Sequence, residues 1–202
     1  HGLCLEPSIF LTGINLTSIN KLLIMRNVEP DKNILQTYPA SCAIKCQQII
    51  LYCYGIDVSE ADLCKIGKEN GWYDDNIGVY MHSNGYLLKC FGINYKHSQS
   101  NGLEDLQSEL EQGHKVMVSV NQAKLANKAD IYNQASHSVI VNVIDSSFVY
   151  VMNPGSGNAN EKYSITSFCE SWKDSGFYML STCEKAPYRY DSQTKRMIEQ
   201  VY

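Results

Sequence analysis

The sequence predicts an α+β domain: helices first, then strands of a mostly antiparallel sheet, with the helices on one side of it. Three observations predict this. The chain has 202 residues of which 44% are hydrophobic, enough to close one sizeable core and too few for two full domains. Residues 41–90 carry helical spacing of apolar residues with marked stops. After Gly92 the segments rich in Val, Ile, Tyr and Phe alternate with turn material.

Residues 1–33 mix apolar and polar positions without a clean period and read as an N-terminal extension, with "INLTSINKLLIMRN" the only stretch suited to a short helix. The domain proper is expected over 34–185. From Ser41 to Tyr54 the residues Ala43, Ile44, Cys46, Ile49, Ile50, Tyr52 and Cys53 fall near i, i+3, i+4, i+7, and Gly55 supplies the stop, which predicts a heavily packed helix. "SEADLCKIGKENG" opens on a Ser59–Asp62 capping pair and closes at Asn70-Gly71, a second helix with both ends marked. A third, "GVYMHSNGYLLKC", is interrupted by Gly85. "INYKH" is a short strand, and "LEDLQSELEQG" is an amphipathic helix with Leu103, Leu106 and Leu110 on one face. "KVMVSV", "HSVIVNVI", "FVYVM" and "GFYML" read as strands, "DSS" and "NPGSGNAN" as turns between them, and "SITSFCESW" as a helix before the last strand. The polar residues 186–202 are expected to form a surface tail or a short helix.

Composition excludes several function classes. With 17 basic and 21 acidic residues the net charge is -4, and Lys and Arg nowhere cluster among aromatics, which argues against nucleic-acid binding. No apolar run reaches the 18 residues of a membrane span, and "HGLCLEPSIF" lacks the basic and apolar regions of a signal peptide. The chain starts at His1 and not Met, as one trimmed of a leader or partner domain would. The 8 cysteines sit in a chain able to build its own core, so reduced thiols and a reducing compartment are expected. Cys42, Cys46 and Cys53 fall on nearby helix faces but lack the paired short spacings of a zinc site, so small buried hydrophobes are the better reading.

Cys42 stands where the Pro39-Ala40-Ser41 loop becomes a helix. Unpaired N–H groups and the helix dipole favour thiolate there, and its own N–H is a candidate oxyanion donor. By position alone it equally fits a core thiol. A general base is needed next, and His137 is the candidate, because it opens an apolar strand directly after a polar loop, whereas His82, His97 and His114 lie in polar contexts. A surface or capping role fits His137 as well. Asn153 ends "FVYVM"; if 137–144 and 148–152 pair as a hairpin, its amide returns beside His137 to orient the imidazole, though Asn-Pro-Gly is also simply a turn. Gln36, six residues before Cys42, can return its amide to the oxyanion position.

The order Gln36, Cys42, His137, Asn153 resembles that of papain-like cysteine peptidases. Within them the chain is most similar, over about 34–181, to the bacteriocin-processing, double-glycine leader peptidases and their free-standing relatives, through the Cys helix followed by "YG", the "SHSVIVNVIDSSFVYVMNPGSG" hairpin and the closing "YSITSFCESWKDSGFYML". The resemblance implies a papain-like fold with N-terminal helices packed on the sheet. It also implies Cys42 as nucleophile, His137 as base, Asn153 as orienter and Gln36 as oxyanion donor, acting on a peptide or protein substrate without metal or organic cofactor. Two departures stand out: Ser41-Cys42-Ala43 where the family usually shows Asp-Cys-Gly, and Asn153 where it usually shows Asp. With no transporter in view, the resemblance implies a stand-alone peptidase or a secreted bacterial effector, working in bacterial or host cytoplasm. The same residues also fit an acyltransferase or a deamidase, and the lost Gly fits a catalytically inactive peptide-binding module.

Overall fold

The computed structural model describes residues 34–126, 136–191, 193–194 and 196–200, so the N-terminal extension and the short helix expected in it lie outside the described residues. Helix α1 (Cys42–Cys53) is buried almost all round, with Ile44, Cys46, Ile50 and Leu51 fully enclosed. Helix α2 (Glu60–Glu69) starts as its sequence predicts: the Ser59 hydroxyl accepts the Asp62 N–H at 3.0 Å. Strands β1 (Tyr73–Asp74) and β2 (Gly78–Val79) form a small hairpin that the sequence reading lacks, since two residues are too few to show alternation. Its turn is held by Asp74, whose Oδ1 accepts the N–H groups of Asn76 and Ile77.

The interruption predicted at Gly85 is present. A 3-10 turn (Met81–Ser83) and helix α3 (Tyr86–Cys90) flank it, and its φ of +94° and the Tyr95 ring, 2.4 Å from where a Cβ would lie, leave room for glycine alone.

β3 (Tyr95–Ser98), helix α4 (Leu103–Glu111), β4 (Val116–Asn121), the short helix α5 (Gln122–Leu125), β5 (Ser136–Ile144), β6 (Phe148–Asn153), β7 (Asn158–Ser164), helix α6 (Ile165–Trp172) and β8 (Met179–Thr182) follow. The six larger strands form one sheet in the order β3-β8-β4-β5-β6-β7, with every neighbouring pair antiparallel. Side chains alternate between its faces. Met117, Ile140, Met152 and Leu180 pack with α1, whereas Val118, Val139, Val141 and Val149 pack with Leu106 of α4 and with Phe168 and Trp172 of α6.

Helices therefore cover both faces, which corrects the one-sided arrangement expected from helices-then-strands order. The reason lies in the strands themselves: β4 is buried at all six positions, as a strand covered on both sides is. Two further departures follow from polar sequence. β7 occupies residues read as turn and loop, and residues 186–202 contribute the antiparallel hairpin β9 (Tyr188–Asp191) and β10 (Arg196–Glu199) in place of a tail or helix. Tyr190 of this hairpin packs against the α1 core.

Candidate active site

The first turn of α1, the start of β5 and the end of β6 meet at one end of the sheet. Cys42 is the first residue of α1, and the main-chain N–H groups of Ser138 and Ala43 point at its sulfur. His137 stands beside that sulfur. The imidazole is 5% exposed, and its Nε2 lies 2.7 Å from Asn153 Oδ1. Asn153 Oδ1 also accepts the Gly155 N–H at 2.9 Å, while its Nδ2 donates to Glu161 Oε2 at 2.5 Å. The amide is thus fixed by a donor on one side and a carboxylate on the other, its oxygen faces the ring, and Nε2 must carry hydrogen. Nδ1 is left for the thiol.

The electrostatics follow from these contacts. Burial pushes the Cys42 thiol up, but the hydrogen bond and charge of His137, with the N–H groups of Ser138 and Ala43, bring it below its ordinary value. Burial pushes His137 down, and it is outweighed by the hydrogen bond and charge of Cys42, the Asn153 oxygen and the Glu161 charge, so the net direction is up. The two groups are displaced in opposite directions, each favouring the charged form of the other, and being in contact they titrate as a unit. The other helix thiols go the other way: burial pushes Cys46 well up and Cys53 to about 11.

Gln36 reaches the same cleft but is differently engaged. Its Nε2 donates to Tyr38 O at 2.8 Å and to Pro39 O at 2.9 Å, which takes both amide hydrogens, and its Oε1 is buried without a partner. Its main-chain N–H donates to Pro154 O at 2.9 Å, tying this loop to the Asn153 turn. The structure brings Cys42, His137 and Asn153 together; it brings Gln36 to the rim with its amide turned into its own loop.

Two functional carboxylates escaped the sequence reading. Glu161 stands behind Asn153 on β7, where Ala159, Glu161 and Tyr163 are half-buried and Asn158, Asn160 and Lys162 are exposed. Glu60, 5% exposed, accepts the Ser41 hydroxyl at 2.6 Å, the Thr37 N–H at 2.9 Å and hydroxyl at 2.8 Å, and Lys45 Nζ at 3.2 Å, so it anchors the loop that leads into Cys42. Ser41 spends its hydroxyl on that carboxylate rather than on capping α1.

The cleft over Cys42 and His137 has a volume of about 580 Å³. Among the described residues that line it, none carries a carboxylate, ammonium or guanidinium group, and Leu35, Tyr38, Ile77 and Met81 present exposed apolar surface along it. Among the described residues there is no cluster of His, Cys, Asp and Glu suited to a metal ion, and no helix long and apolar enough to cross a membrane.

Residues 25–180 match the family model described as Peptidase_C39 like family. A comparison with curated proteins finds no match. Among solved structures the chain is similar to a C39-like peptidase from Bacillus anthracis (TM-score 0.58, 17% identity, 79% of this chain and 96% of that one). It is also similar to the peptidase domain of Streptococcus ComA, a bifunctional ABC transporter of a quorum-sensing pathway (TM-score 0.57, 15% identity, 75% and 96%). A third is a double-glycine-motif protease from an AMS/PCAT transporter in complex with its leader peptide (TM-score 0.51, 14% identity, 78% and 96%). At these identities the likeness speaks for the fold, which is papain-like.

Proposed function

The chain belongs to the Peptidase_C39 like family of cysteine peptidases, and from that premise we propose that it hydrolyses a peptide bond with Cys42 as nucleophile, His137 as acid and base, and Asn153 as the residue that orients the imidazole. The observation that carries this reading is the meeting of three groups: His137 Nε2 lies on Asn153 Oδ1 at 2.7 Å, and the same ring is hydrogen-bonded to the Cys42 side chain. The Cys42 thiolate attacks the carbonyl carbon, and the imidazolium passes its Nδ1 proton to the leaving amine. The acyl-enzyme is then opened by a water that His137 deprotonates, which releases the acid and the thiolate. The oxyanion is stabilised by the Cys42 N–H and by Gln36 once its amide turns away from Tyr38 O and Pro39 O. Outside the reacting pair the described lining of the cleft carries no carboxylate, ammonium or guanidinium group, and with its apolar rim it suits an extended peptide with neutral, partly apolar side chains. A leader peptide is bound by one of the similar proteins.

A second reading, a peptide-binding module without turnover, is favoured by the commitment of Gln36 to its own loop. Acyl transfer or deamidation by the same residues is distinguished by the products formed. The test is iodoacetamide labelling at about pH 5.5 with mass mapping, because a thiolate held by imidazolium reacts where ordinary thiols are protonated. Fast labelling of Cys42, abolished in Cys42→Ala and slowed in His137→Ala along with peptide cleavage, is the expected result. A Cys42→Ala chain that cleaves peptide as well as the native one would overturn the assignment.

A further inference from the structure

Asn153 is a neutral residue in a position that must favour a cation, and its two ends have nearly the same shape. The Gly155 N–H holds the oxygen end toward His137, and what holds the nitrogen end away lies one contact further out. Glu161 Oε2 receives Asn153 Nδ2 at 2.5 Å and the Tyr163 hydroxyl at 2.5 Å, and the Ser156 hydroxyl also stands within hydrogen-bonding range of the carboxylate. A carboxylate accepts and cannot donate, so it draws the NH₂ end of the amide and leaves the oxygen for the imidazole. Turned over, the amide would set its NH₂ against Nε2 and move the neutral ring's hydrogen to Nδ1, where the thiol proton has to go.

We propose that Glu161 is a positioning residue of this site: it fixes the Asn153 amide with its oxygen toward His137 and places behind the imidazolium the negative charge that an amide lacks. The inference rests on the peptidase reading above. Burial pushes the Glu161 carboxyl up, but the hydrogen bonds from Ser156, Tyr163 and Asn153 and the charge of His137 bring it below its ordinary value, so it is ionised at neutral pH. Among the described residues, the titratable groups that bear on His137 are Cys42 from α1 and Glu161 from β7, with Tyr163, held un-ionised by burial and by Glu161, behind them. The arrangement is a relay of hydrogen bonds from sulfur to carboxylate in which only the first link exchanges a proton during the reaction.

The test is the pH profile of Cys42 alkylation by iodoacetamide, with kcat and KM on one peptide, in the full chain and in Glu161→Gln, Glu161→Asp and the double variant Glu161→Gln/Asn153→Asp. Loss of the charge in Glu161→Gln should weaken proton binding by the imidazolium about threefold to tenfold. The alkaline limb then moves about half a unit to one unit toward acid. The same variant should lower kcat about tenfold with KM within about twofold, since only groups acting on the reacting centre are disturbed. Glu161→Asp should move the limb less than Glu161→Gln, and adding Asn153→Asp should bring it back, because the charge then sits on the orienting residue itself. An unmoved limb in Glu161→Gln, or no recovery in the double variant, overturns the inference. Should Glu161→Gln not fold, ¹⁵N imidazole spectra of Cys42→Ala near pH 8 decide: hydrogen on Nε2 is expected, and hydrogen on Nδ1 overturns it. A native chain in which Cys42 labels no faster than its other thiols sinks the peptidase reading together with this one. Fast labelling with an unmoved Glu161→Gln profile sinks this one alone.

Discussion

Gly155 packs directly over the reacting groups. A Cβ built on it would lie 3.2 Å from His137 Cε1, 3.3 Å from Asn153 Oδ1 and 3.2 Å from Gln122 Nε2, tighter than ordinary carbon contacts, and its own N–H helps hold the Asn153 oxygen. Gly155→Ala must therefore displace the ring or the amide by a few tenths of an ångström. Near-attack geometry is steep enough that roughly tenfold slower alkylation and turnover are expected at unchanged melting temperature. Native-like rates in Gly155→Ala would show that the ring is not held tightly. At this scale the sequence is readable where a residue marks a boundary: Cys42 opens a helix, His137 opens an apolar strand and Asn153 closes one. Glu161 and Glu60 are unreadable because each sits in a polar stretch where a glutamate is ordinarily solvated. Only the fold supplies the partners, which for Glu60 include Thr37, 23 residues away.

Between elements, the start of α2 holds the approach to α1. The Glu60 carboxylate gathers Thr37, Ser41 and the Lys45 ammonium in a pocket where Lys45 is 6% and Glu60 5% exposed. Burial pushes this carboxyl up, and the hydrogen bonds from Ser41 and Thr37 with the Lys45 charge bring it net below its ordinary value. Because the folded value is the lower one, its contribution to stability is complete above the ordinary glutamate pKa and is lost as pH falls through the folded value. Glu60→Gln strands a buried ammonium, which costs roughly 3 kcal/mol, and Lys45→Met in the same chain should restore part of it. Urea unfolding at about pH 7 and pH 4 measures both effects. A Glu60→Gln chain as stable as the native one at pH 7 would mean that the loop is anchored elsewhere. Helices α1, α2, α4 and α6 are legible in sequence because their apolar spacing is regular, with a serine cap on α2 and on α6 besides. β7 and the β9–β10 hairpin are not, since "NANEKYS" and "YRYD" owe their strand state to the neighbours they pair with.

Taken whole, the molecule carries a net charge of -4, yet the described lining of its cleft holds no carboxylate, ammonium or guanidinium group. A peptide lying there meets main-chain amides, neutral side chains and the apolar surfaces of Leu35, Tyr38, Ile77 and Met81. Two consequences follow for the proposed substrate. Association is not steered by a local field, so kcat/KM for a neutral peptide should change by less than about twofold between roughly 0.05 and 0.5 M salt, whereas a charged cleft would lose most of its advantage as the screening length falls below 10 Å. A charged side chain placed against the apolar rim loses water without gaining a partner, so replacing one apolar residue of the peptide by Asp or Lys should lower kcat/KM about tenfold or more. Both effects should appear chiefly in KM, since the groups that act on the carbonyl are untouched. A steep salt dependence together with preferential cleavage of an acidic or basic peptide would place the recognition surface outside this cleft. The peptide would then be selected by the charged exterior, and the catalytic end of the sheet would only cut what that exterior delivers.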